Sequence, residues 1–343
     1  MKIILWFFVL LCFCIWGFSQ QTNHITVVNE ATQQRVIVKA YDLPFTEFVY
    51  RDTLEKPFLY PLYAADEQII TRGFPLSPRF GDPTDHPHHT GMWLNYENVN
   101  GIDFWNNSYA IPENKKNLYG WIRTTGITQT TSGDQGVLQY EAVWTSSQKK
   151  VLLLEKTTFT FSEVSNERII DRITTLTAQQ ALSFKDAKDG FLGIRVAHEL
   201  ELPSKDERQF IDEKGNITSV PATKNQMVTG NYLTSQGETG DSAWGTRGKW
   251  CMLYGKMGED SISIVIIDHP QNPGYPTYWH ARGYGLFAAN PLGQKIFSNG
   301  KKELNFTMKE NESVVFRYRV VIFSAKKRLP IDEIERLAED FAH

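Results

Sequence analysis

Most of the chain from residue 25 onward alternates apolar and polar side chains with a period of two, which is typical of half-buried β-strands. The clearest segments are 35–41, 157–161, 261–267 and 314–323, which are rich in β-branched or aromatic residues. Strands and helices do not alternate along the chain. The sequence therefore predicts an all-β protein, a large antiparallel β-sandwich with a short C-terminal helix. Two fused sandwiches is the alternative arrangement.

Two local patterns add detail to this fold prediction. Residues 295–297 and 303–306 flank a Ser-Asn-Gly turn at 298–300, and the three segments together resemble a β-hairpin. Residues 330–341 are the one clear helix pattern, because Pro330 opens it, acidic residues follow at once and apolar residues share one face. The sequence therefore predicts a hairpin near residue 300 and a helix at the C-terminus.

The N-terminus has the layout of a secretory signal peptide. Lys2 supplies one positive charge, residues 3–16 form an uncharged apolar run, and small residues stand at 17 and 19 before Gln20. A membrane anchor is the alternative, but the run is shorter than the about 20 residues that a span needs. We therefore predict a signal peptide over residues 1–19, one catalytic sandwich domain over 20–343, and a periplasmic or secreted protein without a membrane association after cleavage.

Charge and cysteine content narrow the class of protein further. The chain has 36 basic and 39 acidic residues and a net charge of −3, which gives no reason to expect a nucleic acid as partner. Two of the three cysteines leave with the predicted signal peptide, so the remaining Cys251 has no partner for an internal disulfide. Cys251 lies in an alternating segment, residues 249–254, and is predicted to be buried.

Titratable residues concentrate in two proline-rich segments. The first, residues 72–93, contains three of the chain's eight histidines within four positions, together with two arginines and two aspartates. The second, residues 268–285, follows a hydrophobic strand and contains two histidines, an arginine and three tyrosines. Proline prevents helix formation and stiffens a loop. Rigid loops above a β scaffold are usual places for functional sites.

Three interpretations of these segments stay open. They can be loop scaffolding, in which histidines cap turns and aromatic side chains pack. They can be a metal site, because His86 and His88 have a common ligand spacing and Asp82, Asp85 or His280 could complete it. The third interpretation, which we favour, is acid–base chemistry without a metal or other cofactor, in which an arginine holds an anion.

The motifs of both segments resemble those of the PmoA-like family, a domain of unknown function that carries a misleading methane-oxygenase label. The first motif runs from Asp85 to Trp93 as DHPHHTGMW, followed by NGIDFW at 100–105. Later matches are RGKW at 247–250, DHP at 268–270 and WHAR at 279–282, with YGLFAANPLG at 284–293. The resemblance implies a galactose-mutarotase-like β-sandwich and a carbohydrate context. Residues 274–278 and Gly283 depart from the expected motif, so substrate specificity is the property least safely carried over.

A carbohydrate site made of His, Tyr and Arg favours elimination over hydrolysis. Glycosidases usually need two carboxylates flanking the scissile bond, and no such pair stands out in the sequence. In a uronic acid, removal of the C5 proton builds negative charge on the neighbouring carboxylate, which an arginine can neutralise. A histidine or tyrosine can take that proton, and a second group can protonate the leaving oxygen at C4.

The sequence therefore predicts a carbon–oxygen lyase, a dehydratase or a polysaccharide lyase, acting on an anionic, uronate-containing oligosaccharide. The predicted acid–base residues are His88, His89, His280 and Tyr284. The predicted substrate-binding residues are Arg72, Arg79, Asp85, His86, Trp93, Arg247, His269, Trp279, Arg282 and Asn290. A glycoside hydrolase or sugar epimerase on the same scaffold is one alternative. A glycan-binding module without catalytic activity is the other.

Overall fold

The computed structural model describes residues 24–220 and 228–343. The predicted signal peptide, residues 1–19, lies outside the described residues. In the described part of the chain, the strands are β1 Ile25–Glu30, β2 Arg35–Ala40, β3 Leu43–Val49, β4 Phe58–Leu62, β5 Met92–Tyr96, β6 Gly120–Thr131, β7 Gly136–Ser146, β8 Val151–Val164, β9 Glu167–Ala178, β10 Leu182–Phe184, β11 Gly190–Arg195, β12 Arg208–Ile211, β13 Ile217–Val220, β14 Asn231–Thr234, β15 Trp250–Met257, β16 Asp260–Asp268, β17 Tyr278–Ala281, β18 Leu286–Asn290, β19 Phe306–Met308 and β20 Ser313–Ala325.

Helices are few and short in the same described ranges. The two α-helices are α1 Gln294–Phe297 and α2 Ile331–Ala342. The 3-10 helices are Ala31–Gln33, Glu113–Leu118, His198–Leu200 and Gly240–Ala243. None of the helices within residues 24–220 and 228–343 has the length and apolar character needed to cross a membrane.

Two eight-stranded antiparallel sheets form the sandwich. The first has the order β1-β2-β3-β4-β5-β11-β18-β17, and the second has the order β14-β15-β16-β20-β9-β8-β7-β6. The pairs β10–β19 and β12–β13 form two small ribbons. One large cluster of buried apolar residues takes side chains from both eight-stranded sheets. The predicted antiparallel β-sandwich is therefore confirmed.

The alternation of side chains decides which residues of the first sheet face the partner sheet. On β5, Met92 and Leu94 belong to the core between the sheets, whereas Trp93 belongs to a separate cluster on the opposite face. On β18, Phe287 is in the core, whereas Leu286 is in the opposite cluster. Because successive side chains of a strand point to opposite faces, residues that alternate with the core residues define an outer face of this sheet.

The local predictions have mixed outcomes. The helix is confirmed as α2, with Pro330 at its N-cap, and Cys251 is buried in β15 as predicted. The hairpin at 295–306 is wrong, because residues 294–297 form α1 and β19 pairs with β10. The backbone N–H groups of Lys295, Leu304 and Asn305 all donate to the carboxylate of Asp186. Both arms are thus held by Asp186, and they are joined to each other by the Lys295–Glu303 ion pair and not by a β-ladder.

The end of β16 carries a buried carboxyl group whose titration affects stability. Asp268 accepts hydrogen bonds from Asn272 Nδ2 and Thr277 N, both at 2.8 Å, and burial raises its pKa to about 7. The pKa of an unfolded aspartate is about 3.9. The folded state therefore holds the proton more tightly, and the stability that this gives falls as the pH rises from about 4 to 7.

We expect the substitution Asp268→Asn to lower the free energy of unfolding less at pH 8 than at pH 5. The parent carries a buried charge at pH 8 and asparagine does not, and the two penalties should differ by on the order of 2 kcal/mol. Urea unfolding of both proteins at the two pH values measures this difference. Equal penalties at both pH values would show that Asp268 stays ionised throughout.

Candidate functional site

The outer face of the first sheet is the floor of the candidate site. Arg195 alternates with the core residue Ile194 on β11, and His280 lies between the core residues Trp279 and Ala281 on β17. Arg195 and His280 therefore point to the same outer face as Trp93. The loops before β5 and after β11 cover this face.

The histidine-rich segment is a loop that Arg72 holds in place. The guanidinium of Arg72, which is buried, donates to the backbone carbonyls of Asp85, His86 and His89 at 2.6, 2.9 and 3.0 Å. His89 N also donates to the carbonyl of His86, which closes a turn. The prediction that Arg72 binds substrate is corrected, because its guanidinium is enclosed and bonded to the loop backbone.

Aromatic rings form a continuous stack from the sheet to the surface. The ring of His89 lies 5.3 Å from that of Trp93, His86 lies 4.9 Å from His89, and Tyr284 lies 4.8 Å from His86. The rings of His86, His89 and Tyr284 are parallel within 5°. His88 meets both neighbouring histidines edge-on. A turn, and not a strand face, therefore brings the three histidines together.

Asp85 connects this stack to the arginines beneath it. Its Oδ1 accepts from Arg72 Nη1 at 2.9 Å and from Arg195 Nη2 at 2.6 Å, and its Oδ2 lies 2.8 Å from His86 Nδ1. Burial alone would raise the pKa of Asp85, but Arg195, the His86 hydrogen bond, Arg72 and Arg208 together lower it well below the usual range. Asp85 is therefore a carboxylate that binds two buried arginines and one histidine.

The ionised Asp85 fixes the role of His86. A carboxylate can only accept hydrogen bonds, so in the neutral imidazole of His86 the proton is on Nδ1 and the lone pair is on Nε2. The side chain of His86 is 40% exposed, which leaves it accessible to a substrate. This geometry makes His86 a stronger candidate for a general base than its two neighbours.

A second carboxylate, Glu201, completes the charged network. Its Oε2 accepts from Arg208 Nη1 at 2.5 Å and lies 2.8 Å from His198 Nδ1, and its Oε1 accepts from Arg195 Nη2 at 3.3 Å. Arg208 also lies 3.6 Å from Asp85. Arg195, Glu201 and Arg208 were not predicted as site residues, although an arginine and a histidine alternate within the GIRVAHELE segment at 193–201.

His89 and His280 are enclosed, whereas His88 is half-buried and lines a third cavity of about 350 Å³. Burial lowers the pKa of His88 and of His89 well below the usual range. Burial, with the charges of Lys188 and Arg282, lowers the pKa of His280 to about 3. His280 Nδ1 lies 3.7 Å from Asp189 Oδ1. These three rings stay neutral near pH 7, and His280 and His89 are only 3% and 2% exposed.

Tyr284 and Arg282 stand at the open end of the stack. The guanidinium carbon of Arg282 lies 5.7 Å from the centre of the Tyr284 ring and 6.0 Å from that of Trp244. Arg282 is exposed and makes no hydrogen bond or ion pair with its side chain within the described part of the chain. Burial raises the pKa of Tyr284, against the lowering effect of Arg195 and Arg282, so its hydroxyl keeps its proton.

Other predicted substrate-binding residues lie elsewhere or are committed to packing. Arg247 donates to the carbonyls of residues 274–276, and Asn290 Nδ2 donates to those of Ala187 and Lys188. Arg79 Nη2 donates to the carbonyl of Thr71. These polar groups are engaged with the backbone, so the structure does not bring them into the ring stack.

Three of the predicted substrate-binding residues have rings that are packed against other parts of the protein. Trp93 and Trp279 are fully buried, so neither can contact a substrate as predicted. His269 lies outside the cluster, because its ring packs edge-on against Phe341 of α2 at 5.2 Å. Among the residues that the structure describes, no group of three or more His, Cys, Asp or Glu side chains is arranged to hold a metal ion.

Beside the ring stack, the surface opens into two adjoining cavities. The first, of about 500 Å³, is lined by residues that include Lys205, Arg208, Trp244, Arg282 and Tyr284. The second, of about 440 Å³, is lined by residues that include Asp85, Glu207, Arg208 and Tyr284. Both volumes are in the usual range for small-molecule sites.

These features define a β-sandwich protein with a cleft of histidine, tyrosine and arginine on the outer face of one sheet. The chain belongs to a family of unknown function (DUF6807), whose model matches residues 35–339. The description of that family does not carry the PmoA-like name, so the resemblance to a PmoA-like family stays a prediction. No curated protein matches the chain.

Solved structures of carbohydrate-active proteins are similar to this chain at low identity. The galactosidase domain of an α-galactosidase–sucrose kinase is 8% identical, with a TM-score of 0.39, over 88% of this chain and 42% of that one. A galactose mutarotase-like protein from Clostridium acetobutylicum is 11% identical, with a TM-score of 0.30, over 85% of this chain and 92% of that one. The chain thus spans about two fifths of the galactosidase structure.

Proposed function

We propose that this protein acts on carbohydrates as a carbon–oxygen lyase that eliminates across C4 and C5 of a uronic acid residue. The supporting observation is that the Asp85–His86 pair is stacked on Tyr284, whose ring also contacts the unpaired guanidinium of Arg282. A base, an acid and a carboxylate-binding cation are thus adjacent at one cleft. The similar solved structures carry names of carbohydrate-active proteins, and a sugar substrate is part of this proposal.

Each step of the elimination has a candidate group in the cleft. Arg282 binds the uronate carboxylate and neutralises the charge that grows there as the C5 proton leaves. His86 Nε2 takes that proton, and the electrons of the C5–H bond form the C4–C5 double bond as the C4–O bond breaks. The leaving oxygen takes a proton from the hydroxyl of Tyr284. Asp85 stabilises the imidazolium that His86 becomes.

This proposal moves the base from the predicted His88, His89 and His280 to His86. The three predicted residues are neutral and hence able to accept a proton, but His89 and His280 are enclosed by protein, and His88 faces a separate cavity that Arg282 and Tyr284 do not line. His86 is 40% exposed, its ring stacks on Tyr284, and its Nδ1 is already oriented by a carboxylate. We also propose a periplasmic or secreted location, on the basis of the predicted signal peptide.

We expect the substitution His86→Gln to lower the rate of elimination by about 10²-fold or more, since general base catalysis contributes about that much. Absorbance of the conjugated enuronate product, on incubation with uronic oligosaccharides, measures the rate. His343→Gln, at the exposed C-terminus, is the matched control and should keep the parent rate. A His86→Gln protein with parental activity would remove His86 from the mechanism.

Glycoside hydrolysis is the second candidate function. Two carboxylates, Asp206 and Asp241, line the same cavity as Arg282 and Tyr284, and hydrolysis needs such a pair. Release of reducing ends without enuronate absorbance, abolished by Asp206→Asn or Asp241→Asn, would establish hydrolysis and overturn elimination.

A further inference from the structure

The two cavities beside the ring stack form one groove with a shared wall. Asp206, Arg208 and Tyr284 line both of them. Each cavity is large enough for a small ligand, and Tyr284 stands between the two. A ligand that fills the groove therefore spans more than one sugar residue.

The first cavity contains two cations that no other side chain binds. Lys205 and Arg282 are both exposed, and neither side chain has a hydrogen bond or ion pair with any residue in the described ranges. Arg208 differs, because both of its Nη atoms donate to Glu201. Two uncommitted cations are thus available in this cavity, and the carboxylates of Asp206 and Asp241 balance them. The first cavity is therefore the part of the groove in which a free cation can meet a sugar carboxylate.

The second cavity has an excess of negative charge. Its charged lining is Asp85, Asp206, Glu207 and the one cation Arg208. Asp85 is neutralised by Arg72 and Arg195, and Arg208 is paired with Glu201, so Asp206 and Glu207 remain as excess negative charge. Glu207 is exposed and has no hydrogen-bond or ion-pair partner among the described residues. A second anionic sugar would be repelled here, whereas sugar hydroxyls can donate to the carboxylates.

We propose that the groove selects a glycan fragment in which one anionic sugar is followed by an uncharged sugar, and that it discriminates against two adjacent uronates. The anionic residue lies in the cavity with Lys205 and Arg282, and the uncharged residue lies beside Asp206 and Glu207. This inference rests on the proposed function, because it assigns the substrate class of the same cleft. It predicts activity on alternating heteroglycans and not on uronate homopolymers.

Calorimetric binding at pH 7 of two matched disaccharides tests the inference. The probes are galacturonate linked to rhamnose and galacturonate linked to galacturonate. We expect the parent to bind the first about 10-fold or more tightly than the second, because like charges at an interface oppose binding. Glu207→Gln should narrow that ratio by improving the affinity for digalacturonate, and Arg282→Gln should weaken both. Glu213→Gln, on an exposed turn, is the control and should change neither affinity.

The outcomes separate this inference from the proposed reaction. Equal affinity for both probes, or a ratio that Glu207→Gln leaves unchanged, would overturn the selectivity even if elimination occurs. The expected ratio without enuronate formation from any uronic oligosaccharide would support the selectivity and overturn the lyase. Absence of binding by both probes would contradict both proposals.

Discussion

The substitution Glu155→Ala is expected to lower the free energy of unfolding by about 3–5 kcal/mol, because it leaves a buried arginine without its counter-charge. Glu155 accepts hydrogen bonds from Tyr140, Trp144, Thr157 and Arg172 at 2.6–2.9 Å. Glu155 and Arg172 are only 2% and 3% exposed. Removal of the carboxylate leaves the guanidinium and three neutral donors without their acceptor.

Equilibrium urea unfolding measures this loss. Glu141→Ala is the matched control, since Glu141 lies on the neighbouring strand β7 but is exposed, and its change should be within about 0.5 kcal/mol. The double variant Glu155→Gln with Arg172→Met should be more stable than Glu155→Ala, because it leaves no unpaired charge in the core. A Glu155→Ala protein within about 1 kcal/mol of the parent would show that the network relaxes or admits water.

The backbone pattern of this protein was largely predictable from its sequence, because the alternation of side chains is a local property. The segments 157–161, 261–267 and 314–323 lie within β8, β16 and β20. The false hairpin near residue 300 shows the limit. Its turn residues fit a hairpin, but the carboxylate of Asp186, more than 100 positions away, captures both arms.

The candidate site was predictable in part for a similar reason. The cluster at 86–89 and Tyr284 were visible because several unusual residues are close in sequence. Arg195, Glu201 and Arg208 were not, since each is an ordinary charged residue until the fold brings Arg195 and Arg208 to Asp85 and Glu201 to Arg195. The sequence alone also does not show which of these side chains are buried. Trp93 and Trp279 have the right chemistry for a sugar surface but lie beneath it.

We expect substitution of Asp85 to lower both the free energy of unfolding and the rate of elimination. Its carboxylate is the shared counter-ion of Arg72 and Arg195, whose side chains are both fully buried. Removing one partner of a buried ion pair costs about 3–5 kcal/mol, so we expect Asp85→Asn to lower the free energy of unfolding by about 3 kcal/mol. The same change removes the acceptor that orients His86, and elimination should fall by about 10²-fold.

The pH dependence of unfolding separates this ionic role from simple packing. The pKa of Asp85 is lowered in the folded state, whereas an unfolded aspartate titrates near 3.9. The stability that Asp85 gives is therefore fully present above about pH 5 and is lost as the pH falls below about 4. The difference in free energy of unfolding between the parent and Asp85→Asn should become smaller from pH 5 to pH 3. Asp206 is exposed, so the free energy of unfolding of Asp206→Asn should follow that of the parent at each pH. A difference that does not vary with pH would show that Asp85 acts through shape and not through its charge.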